Sequence, residues 1–381
     1  MRGFFMPTCF YKSAMITFKP IIHFMKAILL AFASLLFSSV LFSQIIAGPM
    51  LGQVELRDAK VWIEVAPAAK SVQLVYGAKG STKMTTVPYK GALGAMYNPI
   101  QFTLADLEPA ATYQYSFLID GKKAAQTGTF TTKELWQWRK PAPDFSFLTG
   151  SCAYFNEPMY DRPGKPYGGD SSIFETMAKE KAAFTLWLGD NWYYREVDYF
   201  SAAGLYHRAS RDRSWPVLQK LLKAMPHYAI WDDHDYGPND ADKSYILKKD
   251  SRELFKKYWC NPSYGEEEQG IYTMVSYGDV DIFMMDDRWF RNSNDMDALI
   301  DGKPNAAKRM WGAKELEWLQ NALLTSKATF KLIATGNQTL NPKSIYECLQ
   351  DYPAEFNELM YFLTAEKING VLFLTGDRHH S

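Results

Sequence analysis

One repeated ending constrains this chain more than any other feature. Five apolar segments in its C-terminal two-thirds run directly into polar residues of the kind that hold metal ions. Three of these endings read Gly150-Ser151-Cys152, Gly189-Asp190-Asn191-Trp192-Tyr193 and Gly376-Asp377-Arg378-His379, and a fourth reads Trp231-Asp232-Asp233-His234-Asp235. Oxygen, nitrogen and sulfur donors delivered from successive strand ends are what a metal cluster at the edge of an open α/β sheet requires. The intervening segments fit that frame. Phe145–Thr149 reads as a strand, Ser171–Lys179 as a capped helix and Ala183–Leu188 as a second strand, a βαβ unit. The alternation continues with a helix around Pro216–Ala224 and strand His227–Trp231, helix Lys314–Leu324 and strand Phe330–Thr335, and helix Ala354–Phe362 and strand Val371–Thr375. Tyr272–Tyr277 and Val280–Met285, separated by Gly278-Asp279, spell a hairpin. A mixed sheet results, with helices outside and the motifs on one edge.

Each motif has an ordinary reading beside the chemical one. Gly189-Asp190 after an apolar strand could be a turn with Asp capping a helix. The spacing Asp190-x-x-Tyr193 favours chemistry, because on one helical turn both oxygens would reach the same ion. A phenolate becomes a good ligand when a strong Lewis acid such as ferric iron lowers its pKa. Asp232, Asp233, His234 and Asp235 pack three carboxylates and an imidazole into four positions, which is costly unless a cation neutralises them. A solvated acidic loop is the alternative, but the apolar strand delivering it argues for burial. Asn239 is a further candidate oxygen ligand. Asp377 and His379, two apart on an extended strand end, share a side. Cys152 could be a buried structural thiol, a nucleophile or a metal ligand. A thiolate near several cations would be deprotonated and bound, which favours the ligand. His207 and His227 have no such company and are expected to be structural or surface residues. Together the motifs indicate a metallohydrolase with a phosphate ester as substrate.

The 381 residues, 47% hydrophobic and 15% aromatic, suffice for two domains with real cores. The formal net charge of zero argues against a polyanion held on a broad basic surface, so no bulk nucleic-acid binding is expected. From Lys26 an uncharged apolar run reaches Phe42 and closes on Ser43, the pattern of a secretory signal over residues 1–43, with Met25 as a natural start. An uncleaved membrane anchor is the alternative. The mature chain is therefore expected in the periplasm or outside the cell, with no stable membrane partner beyond that segment. Of four cysteines, Cys9 precedes the signal, leaving Cys152, Cys260 and Cys348. A Cys260–Cys348 disulfide and three free thiols are both open.

Residues 48–132 read as all-β. Val54-Glu55-Leu56, Lys60–Val65 and Ser71–Tyr76 alternate or run apolar, and Gly77, Gly80, Gly91 and Gly94 punctuate them. Leu107-Glu108-Pro109 before Tyr113–Phe117, then Asp120-Gly121 and Gly128-Thr129-Phe130, suggest a corner tyrosine and a final hairpin. This part resembles the fibronectin type III-like domain that precedes the catalytic domain in several exported phosphatases. Trp136–Pro143 looks like a linker (residues 133–143), with tryptophans available to bury against either side.

Residues 144–381 resemble the alkaline phosphatase D (PhoD-like) family of calcineurin-like metallophosphoesterases. The likeness rests on Gly150-Ser151-Cys152, Leu188-Gly189-Asp190 with Tyr193, Trp231-Asp232-Asp233-His234, Asp286-x-Arg288, Trp311-Gly312 with Glu317-Trp318-Leu319, Asn337-Gln338 and Thr375-Gly376-Asp377-Arg378-His379, in order. The resemblance implies a four-layer α/β/β/α sandwich, phosphomonoesterase or phosphodiesterase activity, and a site holding ferric iron (Fe3+) with calcium (Ca2+). By position Cys152, Asp190 and Tyr193 resemble the iron side, Asp377 and Asp233 the second-metal side, and His379 a ligand or supporting partner. Asp235 stands where Glu is more usual. The chain stops at Ser381, directly after the last motif, where relatives continue, so a truncated catalytic domain is expected.

The expected chemistry is in-line attack on phosphorus by a hydroxide that a metal makes from water. Arg288 or Arg378 would neutralise charge on the phosphoryl oxygens, and His234, oriented by Asp232, would protonate the leaving alkoxide. A diesterase or phospholipase-like enzyme of the same fold is the rival within enzymes, and loops such as Asn156–Asp170 would decide between them. An exported binding module with a decayed metal site is the rival outside. The oligomeric state is open.

Overall fold

The computed structural model describes residues 44–343 and 346–379. The signal segment, Cys9 and His380 lie outside the described residues. Seven strands open the described chain: β1 (Ile45–Val54), β2 (Ala59–Val65), β3 (Val72–Ala78), β4 (Thr85–Pro88), β5 (Asn98–Leu104), β6 (Thr112–Ile119) and β7 (Lys122–Thr131). They form two antiparallel sheets, ordered β1-β2-β5 and β4-β3-β6-β7. Along β6, Tyr113, Tyr115, Phe117 and Ile119 are buried and alternate with half-buried residues, the two-residue period of a sheet with one face inward. The corner tyrosine is present: Tyr113 Oη accepts the Glu108 N–H at 2.8 Å. The first strand differs from its expected place. It ends at Val54, and Glu55 and Asp58 close a turn instead of continuing it.

Strand β2 is buried almost throughout because it has two cores to face. Val61, Ile63 and Val65 point into the sandwich core, while Trp62 joins the core of the C-terminal part. On that second face Trp62 Nε1 donates to the Lys257 carbonyl at 2.9 Å and Lys60 Nζ to the Asn261 carbonyl at 2.6 Å. Gly52 permits the close approach. A Cβ there would lie 2.0 Å from Cys260 Cβ. In the linker Trp138 is 99% exposed, so it buries against neither part, contrary to expectation, and Trp136 is half-buried.

The C-terminal part holds two further sheets. In the first, β8 (Leu148–Gly150), β9 (Thr185–Leu188) and β10 (His227–Ile230) run parallel in the order β10-β9-β8. After a small β13–β14 hairpin (Leu299–Ile300, Lys303–Pro304), the second is completed as β11 (Thr273–Tyr277), β12 (Val280–Met284), β15 (Phe330–Thr335) and β16 (Val371–Thr375), ordered β11-β12-β15-β16. Its β11–β12 pair is the expected hairpin, and the remaining pairs are parallel. The helices are α1 (Ile173–Met177), α2 (Ala202–Arg213), α3 (Leu218–Ala224), α4 (Asp233–Tyr236), α5 (Lys248–Tyr258), α6 (Gly312–Thr325) and α7 (Pro353–Ala365). Strand alternation assigns the second sheet's faces. Ile282, Met284, Leu332 and Ala334 join the core that contains Leu186, Leu188 and Ala229 of the first sheet. Phe283 and Ile333 point the other way, onto Leu316, Leu319 and Leu323 of α6 and Leu359 of α7. Among the described residues no helix is long and apolar enough to cross a membrane. Cys152, Cys260 and Cys348 are all free thiols, which removes the Cys260–Cys348 disulfide.

Candidate metal centre

Seven of the candidate site residues follow the C-terminal end of a strand. Cys152 follows β8, Asp190 and Tyr193 follow β9, Asp233 and His234 open α4 after β10, and Asp377 and His379 follow β16. Two glycines let strand ends approach closely, Gly189 within the first sheet and Gly376 between the two sheets. A Cβ on Gly189 would stand 2.7 Å from Asp232 Cβ, and one on Gly376 would stand 2.2 Å from the Leu188 carbonyl oxygen. The backbone itself is strained at the ligands: Cys152, Asp190 and Asp377 adopt φ of 62°, 52° and 66°. Left-handed conformation costs a non-glycine residue roughly 1–2 kcal/mol, and such outliers concentrate at functional sites. Residues 190–193 are not helical, contrary to the expected helical turn. The irregular path still brings Tyr193 Oη to 2.9 Å from Asp190 Oδ2, donating to it.

Around that contact the donors gather. The Cys152 thiol donates to Asp190 Oδ2 and to the Asp377 carbonyl, both at 3.6 Å, and Tyr193 Oη lies 3.4 Å from His379 Nε2. Ligand atoms of Cys152, Asp190 and His379 fall within 4.8 Å of one another, as do those of Asp190, Asp233 and His234, and those of Asp233, Asp240 and Glu347. Asp190 is common to the first two groups and Asp233 to the last two, so the three adjoin.

Without a cation this constellation would be electrostatically unfavourable. Burial, with Asp233 and Asp235 close by, drives the Asp190 carboxyl well above its usual range. Burial, Asp233 and Glu347 lift Asp377 to about 6. Burial followed by the Asp190 charge raises both the Cys152 thiol and the Tyr193 phenol. The buried Asp377 Oδ2 has no hydrogen-bond partner. Cations reverse each of these penalties, so the donor set fits metal ions. Thiolate, phenolate and imidazole donors on the Cys152 side suit a transition metal, and the carboxylates on the Asp233 side suit a hard cation.

Other residues stand elsewhere than the sequence suggested. Asp232 does not orient His234. Its Oδ1 accepts Arg288 Nε at 2.7 Å, both oxygens accept Asn337 Nδ2 at 2.8 Å, and it caps α4. Arg288 is fully buried and shared between Asp232 and Glu347, with no surface open to solvent. Asn239 is exposed and donates to Asp240 Oδ2 at 2.7 Å, and Asp240 enters the acidic group in its place. The His234 ring packs on Tyr193 with centroids 4.3 Å apart, and burial lowers its pKa. Arg378 is partly exposed, its guanidinium 4.0 Å from the centre of the Tyr346 ring. His227 is structural: fully buried, it accepts Trp187 Nε1 at 3.0 Å. Asp235 brackets two loops by accepting N–H groups of Asp190 (3.2 Å), Asn191 (3.1 Å) and Asp232 (2.7 Å).

Asp240 and Glu347 were not singled out as site residues from the sequence. Glu347 accepts from Arg288, Arg291 and Asn294, and despite its burial those arginines hold its carboxyl down at about 2. It sits in an irregular segment, and only the buried arginines it neutralises could have signalled it.

Known proteins share the family and the fold. Residues 147–381 match the family of PhoD-like phosphatases, and residues 42–134 match a domain of unknown function (DUF7800). Alkaline phosphatase D of Bacillus subtilis (strain 168) is 25% identical over 320 residues, covering 72% of this chain and 52% of that protein. The chain thus spans about half the length of the curated relative it matches. The solved structure of PhoD superposes with a TM-score of 0.70 at 20% identity, covering 90% of this chain and 73% of that one. Purple acid phosphatase PPD1 from yellow lupin (Lupinus luteus) seeds gives 0.57 at 11% identity, covering 85% and 57%. Both likenesses show a metallophosphoesterase-like fold. With its family match extending over more than half of its length, the chain belongs to the PhoD-like phosphatases.

Proposed function

We propose that this protein is an exported, metal-dependent phosphoesterase acting on small phosphate monoesters or diesters. The observation that carries the reading is the convergence of Cys152, Asp190, Tyr193, Asp233, His234, Asp377 and His379 at one sheet edge, with buried carboxylates whose charge bound cations would offset. Family membership supports it. Cys152, Asp190, Tyr193 and His379 would hold ferric iron, and Asp233 and Asp377 calcium. Bound there, the metals would supply an acidified water for in-line attack on phosphorus and positive charge for its oxygens.

The protein's own groups have separate duties. His234, whose side chain keeps 25% of its surface exposed with Nε2 3.9 Å from Asp233 Oδ2, is placed to hand a proton to the leaving oxygen. Arg378, partly exposed at the rim, is the proposed partner of the phosphoryl oxygens, while Arg288 fixes Asp232 and Glu347 from inside. We assign residues 48–132 to a fibronectin type III-like sandwich, 133–143 to a linker and 144–381 to the catalytic domain. The two sheets sharing a core, with α6 and α7 outside the second, support the four-layer arrangement. Export rests on the basic-then-apolar pattern from Lys26 to Ser43.

The test is turnover by the purified chain of 4-nitrophenyl phosphate and bis(4-nitrophenyl) phosphate. Hydrolysis of at least one, abolished by Asp190→Asn, is expected. A metal-loaded chain inert toward both would contradict the reading and favour a binding role.

A further inference from the structure

The segment from Asn156 to Gly168 rises beside the metal centre as a closed loop. Its neck is tied by one side chain: Asn156 Nδ2 donates to the Gly168 carbonyl at 2.7 Å, and Asn156 Oδ1 accepts the Gly168 N–H at 3.0 Å. Its body is tied by another. Asp161 accepts from Tyr154 Oη at 2.8 Å, from the Glu157 N–H at 2.6 Å and from Arg195 at 2.8 Å. Pro158, Pro163 and Pro166 stiffen what remains. A loop held this firmly presents its exposed residues at little further entropic cost.

Those residues include the apolar and aromatic Met159, Tyr160 and Tyr167, with the cations Arg162 and Lys165 exposed among them. Tyr167 is 62% exposed, and its ring lies 5.5 Å from that of Tyr154. Tyr154 in turn lies 4.9 Å from the ring of Tyr193, whose hydroxyl reaches Asp190. Arg195 stacks on Tyr154 at 4.2 Å. A continuous aromatic wall therefore climbs from the ligand cluster to the surface and ends on an uncovered ring. Core packing does not require that ring, since more than half of it faces water.

We propose that this wall selects phosphate esters whose alcohol part carries a planar aromatic ring, with Tyr167 as the specificity-determining residue. The proposal rests on the phosphoesterase reading above. A phosphoryl group seated at the metals leaves its alcohol part at the mouth of the site, where offset or edge-to-face contact with Tyr167 favours a flat apolar group. It also assigns a job to the Asn156–Asp170 loop, one of those expected to decide substrate preference.

Binding tests this apart from turnover. The 381-residue chain, with the metals it carries on purification, is titrated calorimetrically with phenylphosphonate and with methylphosphonate. The phenyl compound is expected to bind roughly three- to tenfold tighter. Tyr167→Ala should bring the ratio close to one, and Tyr167→Phe should preserve it. Equal affinities in the unmodified chain, or a preference that survives Tyr167→Ala, would overturn the proposal. If neither phosphonate binds while 4-nitrophenyl phosphate is hydrolysed, the wall alone is refuted. If neither binds and no ester is hydrolysed, the phosphoesterase reading falls and the wall with it.

Discussion

Tyr193 concentrates the chemistry of the site into one side chain. Its hydroxyl meets Asp190 and His379, one ring neighbour is His234 and another is Tyr154. Burial and the Asp190 and Cys152 charges make its phenolate inaccessible in the absence of a cation, so a phenolate at this position would report a bound Lewis acid. Removing the oxygen while keeping the ring separates the two roles. Tyr193→Phe should abolish a visible phenolate-to-iron absorption band and lower iron content, with the far-ultraviolet circular dichroism unchanged. A band that persists in Tyr193→Phe would remove Tyr193 from the ligand set. Arg288 teaches a different lesson at this scale. The sequence marks it as a cation within a motif, but a charge has no direction until its burial is known. Once buried, it serves Asp232 and Glu347.

The elements that place these residues are short, and their junctions matter more than their lengths. Strand β16 is held against β9 by the bare backbone of Gly376, whose added methyl would intrude to 2.2 Å on the Leu188 carbonyl. Gly376→Ala should therefore cost about 1–3 kcal/mol of stability by overpacking, read from the denaturant midpoint, and should lower metal content because Asp377 and His379 move with the strand. Unchanged stability and metal loading would mean that the junction is softer than its geometry implies. Strands β9, β10, β15 and β16 were legible from the sequence because each is an apolar run ended by polar residues, and the β11–β12 hairpin because its turn carries Gly278. Helices α2 and α5 were not. Their buried faces include Arg208, Asp212 and Arg213 in α2 and Ser251 and Arg252 in α5, so polarity concealed the helical period. The site followed the same rule. Candidate ligands at strand ends could be picked out in advance, whereas Asp240 and Glu347 lie in irregular chain whose position only tertiary packing sets.

Across the whole molecule, the sandwich and the C-terminal part are joined by buried polar chemistry as well as by apolar packing. Glu64 of β2 is fully buried, with Oε1 accepting from Ser210 at 2.7 Å and Tyr258 at 3.1 Å, while Oε2 has no partner. Burial raises its carboxyl from 4.5 to about 7 against the opposing pull of Ser210, Tyr258 and Arg213. Between these values the folded chain keeps a proton that the unfolded chain has released, so this group makes stability fall as pH rises from about 4.5 to 7. The loss approaches roughly 3 kcal/mol at about 1.4 kcal/mol per unit. Glu64→Gln, neutral throughout, should shrink the difference between denaturant midpoints measured below and above that window. An equal pH dependence in both proteins would show that Glu64 titrates normally. The central claim concerns the metal centre, and metal removal tests it most directly. Elemental analysis of the purified chain should find iron and calcium, chelation should remove them together with phosphoesterase turnover, and returning both ions should restore it. A chain stripped of metal that still hydrolyses the ester at its original rate would contradict the account.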